Sequence, residues 1–127
     1  MAHKFKKHYT REEASALLPK LREWLDRLVE LRSELEKNDR RIAGLMAEGQ
    51  DTGGELVNQS IKLLSEIKGL LQHFSDREIM IKDLARGLID FPALIGDREV
   101  FLCWEKDEEN VEFWHDIDSG FAGREPL

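Results

Sequence analysis

Apolar side chains recur every three or four residues along two stretches of the first 76 residues. This spacing is typical of a helix with one buried face, and its seven-residue repeat is typical of a coiled coil. A polar, glycine-rich run at residues 49–54 separates the stretches, so the sequence predicts an antiparallel helical hairpin. The two series are Leu21, Trp24, Leu28, Leu31, Leu35, Asn38, Ile42 and Leu45, and then Leu56, Ser60, Leu63, Ile67, Leu70 and Phe74.

Local signals place the ends of the two helices. Thr10 and Glu13 form a capping box, so the first helix starts there. The hydroxyl of Thr10 accepts a hydrogen bond from a backbone N–H group of the first turn, and the carboxylate of Glu13 reaches back to the backbone N–H group of Thr10. Pro19 lacks an N–H group and crowds the preceding turn. We therefore expect a short helix near residues 11–17 and a fresh start at Pro19, with one long kinked helix as the alternative. Asp51 or Thr52 can cap the second helix.

Asn38 is polar although it occupies a position of the first apolar series. A buried asparagine in a coiled coil can fix the register or the number of partners. Alternatively, Asn38 lies at a hydrated end of the apolar series and has no such role. At about 1.5 Å per residue the first helix is about 40 Å long, which is too long for a small sheet to cover. We expect two hairpins to pair as a homodimer.

After residue 76 the apolar period changes from 3.5 to two, which predicts short strands. Turn-forming residues at 95–98 and 106–110 separate these strands. The sequence therefore predicts an α+β fold in one domain, residues 1–127. Its hairpin (1–76) packs with a small C-terminal antiparallel β-meander and a docked tail (77–127). The alternating residues are Ile79 and Ile81, then Val100, Leu102 and Trp104, then Val111 and Phe113.

Charge and cysteine content exclude several classes of function. The net charge is −7, and residues 77–127 carry all of it, with 6 Lys+Arg and 13 Asp+Glu. Nucleic acid is therefore not expected as a partner, because phosphate contacts need a basic surface. The basic start around Lys4 and Lys7 can contact an acidic surface, but a frayed and solvated terminus is favoured. A single cysteine, no apolar leader and no apolar run of about 18 residues favour a cytoplasmic protein without a membrane partner.

Metal ligands and catalytic groups are present at the β-rich end, but not in a recognised spacing. Cys103 and His115 can become neighbours on adjacent strands. We expect no bound metal, and a metal held by this pair is the weaker alternative. The other candidate donors are Asp83, Asp90, Asp116 and Asp118. A cysteine between apolar residues is more often a buried core residue, and apolar neighbours disfavour it as a nucleophile.

His115 lies beside two carboxylates, Asp116 and Asp118, which can orient an imidazole for acid–base catalysis. A histidine hydrogen-bonded to backbone at a strand end is the favoured interpretation. Arg124 can bind a ligand carboxylate or phosphate, although an internal salt bridge to Asp90 or Asp116 is favoured in so acidic a region. No glycine-rich phosphate loop is present, so no cofactor is expected.

Several motifs at both ends of the chain resemble the bacterial family catalogued as domain of unknown function 2203. The resemblance spans nearly the whole chain, and it implies a small bacterial protein with no established activity. The motifs are Tyr9-Thr10-Arg11-Glu12-Glu13-Ala14, Leu17-Leu18-Pro19, Ile81-Lys82-Asp83-Leu84, Gly87-Leu88-Ile89-Asp90-Phe91-Pro92-Ala93, Arg98-Glu99-Val100, Leu102-Cys103-Trp104, Phe113-Trp114-His115 and Gly120-Phe121-Ala122-Gly123-Arg124.

Two functions fit these residues. The first is an oligomeric binding module whose β-rich end holds a small ligand or a protein partner, because tryptophan and arginine are common binding anchors. The second is a small hydrolytic or metal-assisted enzyme that uses His115 with Asp116 or Asp118. The candidate binding residues are Asp83, Arg86, Asp90, Trp104, Trp114, His115 and Arg124.

Overall fold

The computed structural model describes residues 3–50 and 53–127. Two helices are followed by five strands that lie in the order β1-β2-β3-β4-β5, each antiparallel to its neighbour. This arrangement confirms the predicted α+β fold with a C-terminal meander. The helices are α1 (Arg11–Ala47) and α2 (Gly53–Asp76), and the strands are β1 (Met80–Asp83), β2 (Leu88–Ile95), β3 (Arg98–Glu105), β4 (Phe113–Asp116) and β5 (Glu125–Pro126), with a 3-10 turn (Phe121–Gly123) before β5.

Helix α1 begins at the predicted capping box and continues without a break for 37 residues. Pro19 lies inside α1, so the expectation of a separate short helix at residues 11–17 was wrong and the alternative of one long helix is the one observed. An interior proline costs about 3 kcal/mol. Burial of one leucine side chain contributes about 1.5–3 kcal/mol, and Leu18, Leu21 and Leu25 are all buried on this helix, which offsets that cost. At about 1.5 Å per residue α1 is about 55 Å long. The predicted caps Asp51 and Thr52 fall outside the described residues.

The two helices run antiparallel and are joined by polar contacts as well as by leucines. Asn38 is buried, and its Nδ2 donates to the carbonyl oxygen of Leu56 at 2.8 Å and to Oγ of Ser60 at 2.7 Å. Nearer the sheet, Nε of Arg27 donates to Glu66 at 2.7 Å. Asn38 therefore fixes the register of the hairpin within one chain. Neither helix, over the residues described, is long and apolar enough to cross a membrane.

One face of the sheet packs on the near half of α1 and forms the core. Tyr9 before α1, Phe74 on α2, and Ile79 and Val111 in the connecting segments complete this core. Because side chains alternate along a strand, the opposite face of the sheet holds a second set of side chains that is not part of this layer. The residues of the helix-facing layer are Ile89, Phe91, Ala93, Val100, Leu102 and Trp104, packed against Ala14, Leu18, Leu21, Leu25 and Leu28.

The N-terminal segment covers part of that opposite face, and the expectation of a frayed start was wrong for the residues described. The carboxylate of Glu99 accepts hydrogen bonds from the backbone N–H groups of Lys4 at 2.9 Å and Phe5 at 3.0 Å. The ring of Phe5 then meets the ring of Phe101 edge-on, with centroids 5.4 Å apart. Two carboxylates hold the segment in place, since Glu78 accepts from the next two backbone N–H groups.

Candidate functional site

Three side chains from three neighbouring strands meet on the face of the sheet opposite the helices. Asp90 on β2 is directly paired with Cys103 on β3, and Phe101, two residues before Cys103, is paired with His115 on β4. Directly paired residues point to the same face, as do residues two apart on one strand. One donor atom from each of Asp90, Cys103 and His115 lies within 4.8 Å of the others, and all three residues are buried. We call these three residues the buried triad.

Hydrogen bonds fix the ring of His115 within the triad. Its Nδ1 lies 2.7 Å from the backbone carbonyl oxygen of Asp116, and its Nε2 lies 3.1 Å from Oδ2 of Asp90. A carbonyl oxygen can only accept, so Nδ1 carries a proton and donates it. The Nε2 atom therefore faces Asp90, and one proton lies between this nitrogen and the carboxylate oxygen.

Asp90 is an unusual residue for the interior of a sheet, since its exposed fraction is 1 %. Burial raises the pKa of its carboxyl group, because the charged form loses hydration, while the charge and hydrogen bond of His115 oppose the rise. Oδ2 faces His115. No donor within residues 3–50 and 53–127 meets the distance of a hydrogen bond to Oδ1, although the nearby thiol of Cys103 also acts to lower the pKa of Asp90. A buried acceptor without a partner costs about 1–3 kcal/mol.

The thiol of Cys103 is held in its protonated form. Burial, and then the negative charge of Asp90, raise the pKa of Cys103 to about 12, although the nearby Arg124 opposes this. A thiol in this state is a poor nucleophile. Cysteine catalysis by the free protein, which the sequence already disfavoured, has no support in this geometry.

The triad borders a small cavity that lies under the C-terminal segment, residues 117–124. The cavity volume is about 160 Å³, and its wall is part apolar and part polar. We call it the polar cavity. A water molecule takes about 30 Å³ in the liquid, so the space corresponds to about five waters. Besides the triad it is lined by Lys82, Leu88, Phe101, Ile117, Ser119, Gly120 and Phe121.

Arg124 closes the segment over the cavity through stacking and an ion pair. Its guanidinium carbon lies 3.9 Å from the ring centroid of Phe113 and 4.2 Å from that of Phe121. The same guanidinium donates to both carboxylate oxygens of Glu108, at 3.1 and 2.6 Å. The expected internal salt bridge therefore exists, and its partner is Glu108 and neither of the two suggested carboxylates, Asp90 and Asp116. The guanidinium carbon of Arg86 also lies over the ring of Phe121, 4.4 Å from its centroid.

The tryptophans proposed as binding anchors lie on the other face of the sheet. Trp104 is 0 % exposed, packs in the helix-facing core and donates from Nε1 to the carbonyl oxygen of Glu108 at 2.9 Å. Trp114 is half-buried against the same core, and the guanidinium of Arg98 lies over its ring at 5.5 Å. Neither tryptophan lines the polar cavity.

The remaining acidic candidates lie outside the cavity. Asp83, at the end of β1, accepts a hydrogen bond from the backbone N–H of Arg86 at 3.1 Å. The carboxylate of Asp116 is exposed and pairs with Arg98, so only its backbone carbonyl reaches His115. Asp118 is exposed. The two carboxylates proposed for acid–base catalysis therefore do not meet the imidazole, and Asp90 takes that position.

Sequence reasoning did not identify Phe101 and the cavity-lining residues of the C-terminal segment as part of a site. It named Asp90 and Cys103 among the candidate metal donors, but it did not predict that they are directly paired. A signal for the last pairing exists. Strands β2 and β3 are joined by the two residues Gly96 and Asp97, and Gly96 has a φ of 62°, as a two-residue hairpin turn requires at its first position. A turn of this length fixes the register, which places Asp90 opposite Cys103.

The fold and the buried triad define a small α+β protein with a small cavity beside the triad. The chain belongs to the DUF2203 family, described as an uncharacterized conserved protein, whose model matches residues 7–127. Comparisons with curated proteins and with solved structures found no match.

Proposed function

We propose that this protein is an oligomeric binding module whose ligand site is the polar cavity. Oδ1 of Asp90 carries the proposal, because it is a buried carboxylate oxygen without a hydrogen-bond partner among the described residues, and Asp90 lines the cavity. A ligand that donates a hydrogen bond or carries positive charge would remove the cost of leaving this acceptor unpaired. No comparable unpaired group is found elsewhere in the described chain.

The size of the cavity restricts the ligand. Pockets for drug-sized molecules occupy about 300–1,000 Å³, whereas the polar cavity holds about 160 Å³. The ligand is therefore an ion or a molecule of a few heavy atoms. A larger groove of about 400 Å³ lies between α2 and β1, but its carboxylate, Glu78, already accepts hydrogen bonds from the backbone N–H groups of Lys6 and Lys7.

The enzyme alternative has less support than binding. His115 is 3 % exposed, and both of its ring nitrogens have partners, namely the carbonyl of Asp116 and the carboxylate of Asp90. A general base needs a free nitrogen within reach of a substrate proton. We assign no reaction to the site.

Nitrogen-15 NMR of the histidine rings tests the proposal. The probes are ammonium, methylammonium, formamide, acetate and Zn²⁺, each added separately to the full chain. We expect at least one cationic or hydrogen-bond-donating probe to shift the His115 ring while the His8 and His73 rings stay unchanged. Asp90→Asn should weaken that response at least tenfold, and the exposed Asp118→Asn should not. The proposal fails if no probe moves His115, or if all three rings move together.

The oligomeric part of the proposal rests on an apolar stripe along α2. Val57, Ile61, Leu64 and Leu71 have exposed fractions of 43, 58, 53 and 44 %, and their spacing of four, three and seven residues puts them on one side of the helix. Helix α1 covers the other side of α2. A second copy of the chain presents the same stripe, so the two hairpins can bury it in a four-helix bundle with twofold symmetry.

Analytical ultracentrifugation tests this part separately. We expect a dimer for the natural sequence and a monomer for the double variant Ile61→Glu with Leu64→Glu. Ile95→Glu is a matched control, because Ile95 is also exposed, at 46 %, but lies at the β2 end of the β2–β3 turn. A natural sequence that sediments as a monomer, or a double variant that stays dimeric, contradicts this interface.

A further inference from the structure

The buried triad presents three different metal-ligand atoms towards a common point. These are a carboxylate oxygen of Asp90, the sulfur of Cys103 and Nε2 of His115, all within 4.8 Å of one another. In a tetrahedral zinc site with bonds of about 2.0–2.3 Å, the ligand atoms lie about 3.5 Å apart. Nε2 of His115 and Oδ2 of Asp90 are already 3.1 Å apart. Small side-chain rotations are therefore enough to bring the three atoms to coordination distance.

The ring of His115 has the hydrogen bonding expected of a metal ligand. Histidines that bind metals usually donate their other ring N–H group to a carbonyl or carboxylate, which fixes the tautomer and the ring orientation. Nδ1 of His115 donates to the carbonyl of Asp116 at 2.7 Å. This leaves Nε2 as the nitrogen that faces Asp90 in the triad.

The surroundings of the triad also suit a cation. Oδ1 of Asp90 has no partner in the described part of the chain, and a carboxylate with a free buried oxygen attracts positive charge. Two positively charged side chains repel a cation bound at the triad, namely Lys82 at the cavity wall and Arg124 near Cys103. Arg124 is neutralised by its two-point contact with Glu108, and the side chain of Lys82 belongs to an exposed residue.

From these contacts we infer that Asp90, Cys103 and His115 bind one divalent transition-metal ion of the zinc type, with the polar cavity supplying room for a water molecule as the fourth ligand. Nitrogen, sulfur and carboxylate oxygen are the ligand types that zinc takes in proteins, and three protein ligands with one open position is a known arrangement. Binding displaces the thiol proton of Cys103 and the proton between His115 and Asp90 to solvent. This inference rests on the proposed ligand site and names its ligand.

A second histidine cluster has to be removed before the test. His3 and His8 lie close to Glu99, and all three could hold an ion near the surface. Glu99 already accepts three hydrogen bonds, from His8 and from the N–H groups of Lys4 and Phe5, so this cluster is the weaker candidate. The experiment uses the full chain with His3→Ala in every sample, produced without a histidine tag and freed of metal with a chelator.

The experiment is a titration with Co²⁺ followed by absorption spectroscopy, and then competition with Zn²⁺. We expect one ion per chain, with a thiolate-to-cobalt band in the near ultraviolet that Zn²⁺ removes. Cys103→Ser and Cys103→Ala should abolish this band, and Asp90→Asn and His115→Gln should weaken binding at least tenfold. Asp118→Asn, which removes an exposed carboxylate, should leave binding within twofold. Circular dichroism of each variant shows whether it is folded.

The possible results separate this inference from the proposed function. Absence of the band in the folded protein, or a band that persists in both Cys103 variants, overturns the metal site. If neither Co²⁺ nor Zn²⁺ binds while ammonium, methylammonium or formamide still shifts the His115 ring signals, the metal site is rejected and the polar cavity stands as a binding site. If neither metals nor small molecules shift the ring, both are wrong.

Discussion

His115 and Asp90 share one proton across a 3.1 Å contact between β4 and β2, on the face of the sheet that the helices do not cover. The two side chains are 3 and 2 % exposed, so this pair is withdrawn from solvent. A buried pair is weak evidence of stability, because desolvation can exceed the attraction between the partners. The pair, together with Cys103, is the basis of the binding site that we propose.

The first prediction concerns the pH dependence of stability. Burial raises the pKa of Asp90, so the folded protein keeps this proton at pH values where the unfolded chain, with its usual pKa of about 3.9, has lost it. The contribution of Asp90 to stability must therefore fall as the pH rises through that window. The free energies of unfolding of Asp90→Asn and of the natural sequence should be measured with urea at pH 4 and pH 7. We expect Asp90→Asn to gain stability relative to the natural sequence between pH 4 and pH 7. An equal difference at both pH values contradicts the raised pKa.

The second prediction concerns the reactivity of Cys103. With a pKa of about 12, only about 1 thiol in 10⁴ is ionised at pH 8, against roughly a quarter for an ordinary cysteine. Iodoacetamide should modify the folded protein at least about 1,000-fold more slowly than it modifies glutathione, as followed by mass spectrometry. Asp90→Asn removes the charge that helps raise this pKa, and it should speed the reaction. A rate within tenfold of that of glutathione contradicts this account.

The third prediction concerns the arginine that closes the cavity. Arg124→Lys keeps the charge but loses the two-point contact with Glu108 and the flat stacking on Phe113 and Phe121. We expect a loss of about 1–2 kcal/mol in the free energy of unfolding, measured with urea. Arg86→Lys is the control, because Arg86 is more exposed and its ion pair with Glu105 is screened by solvent, so we expect a smaller loss than for Arg124→Lys. Equal losses in both variants would contradict the role given to Arg124.

The fourth prediction concerns the tether of the N-terminal segment. Burial tends to raise the pKa of Glu99, but hydrogen bonds from His8 and from the backbone of Phe5 and Lys4 outweigh it, and the net pKa is lowered. The tether is therefore complete above the ordinary glutamate pKa of about 4.3 and is lost as the pH falls through the lowered value. Amide NMR signals of Lys4 and Phe5 should move together with a midpoint below about 4.3. Glu99→Gln should shift them already at neutral pH, and unchanged signals would contradict the tether.

Much of the fold could be predicted from the sequence because its determinants are local. The capping box at Thr10 and Glu13 and the change of apolar period after residue 76 both depend on near neighbours. Pro19 could not be judged in this way. The cost of an interior proline is local, whereas the burial of Leu18 and Leu21 that offsets it comes from a sheet more than 60 residues later.

The candidate site was predicted only in part for the same reason. Alternation along the strands suggested that Cys103 and His115 can be neighbours, but it did not show which carboxylate joins them. The choice of Asp90 over Asp116 depends on strand register and face, since Asp116 points its carboxylate to solvent and to Arg98. Glu108, the partner of Arg124, lies in the turn between β3 and β4, where no apolar period indicates position.

A crystal structure of the full chain, purified without an affinity tag or a chelator, tests the central claim most directly. The deciding observation is the density beside Oδ1 of Asp90, between Sγ of Cys103 and Nε2 of His115. The account predicts a bound ion or a small molecule within contact distance of that oxygen. A cavity that holds only ordinary water, or a carboxylate whose Oδ1 is satisfied by the protein itself, would contradict it.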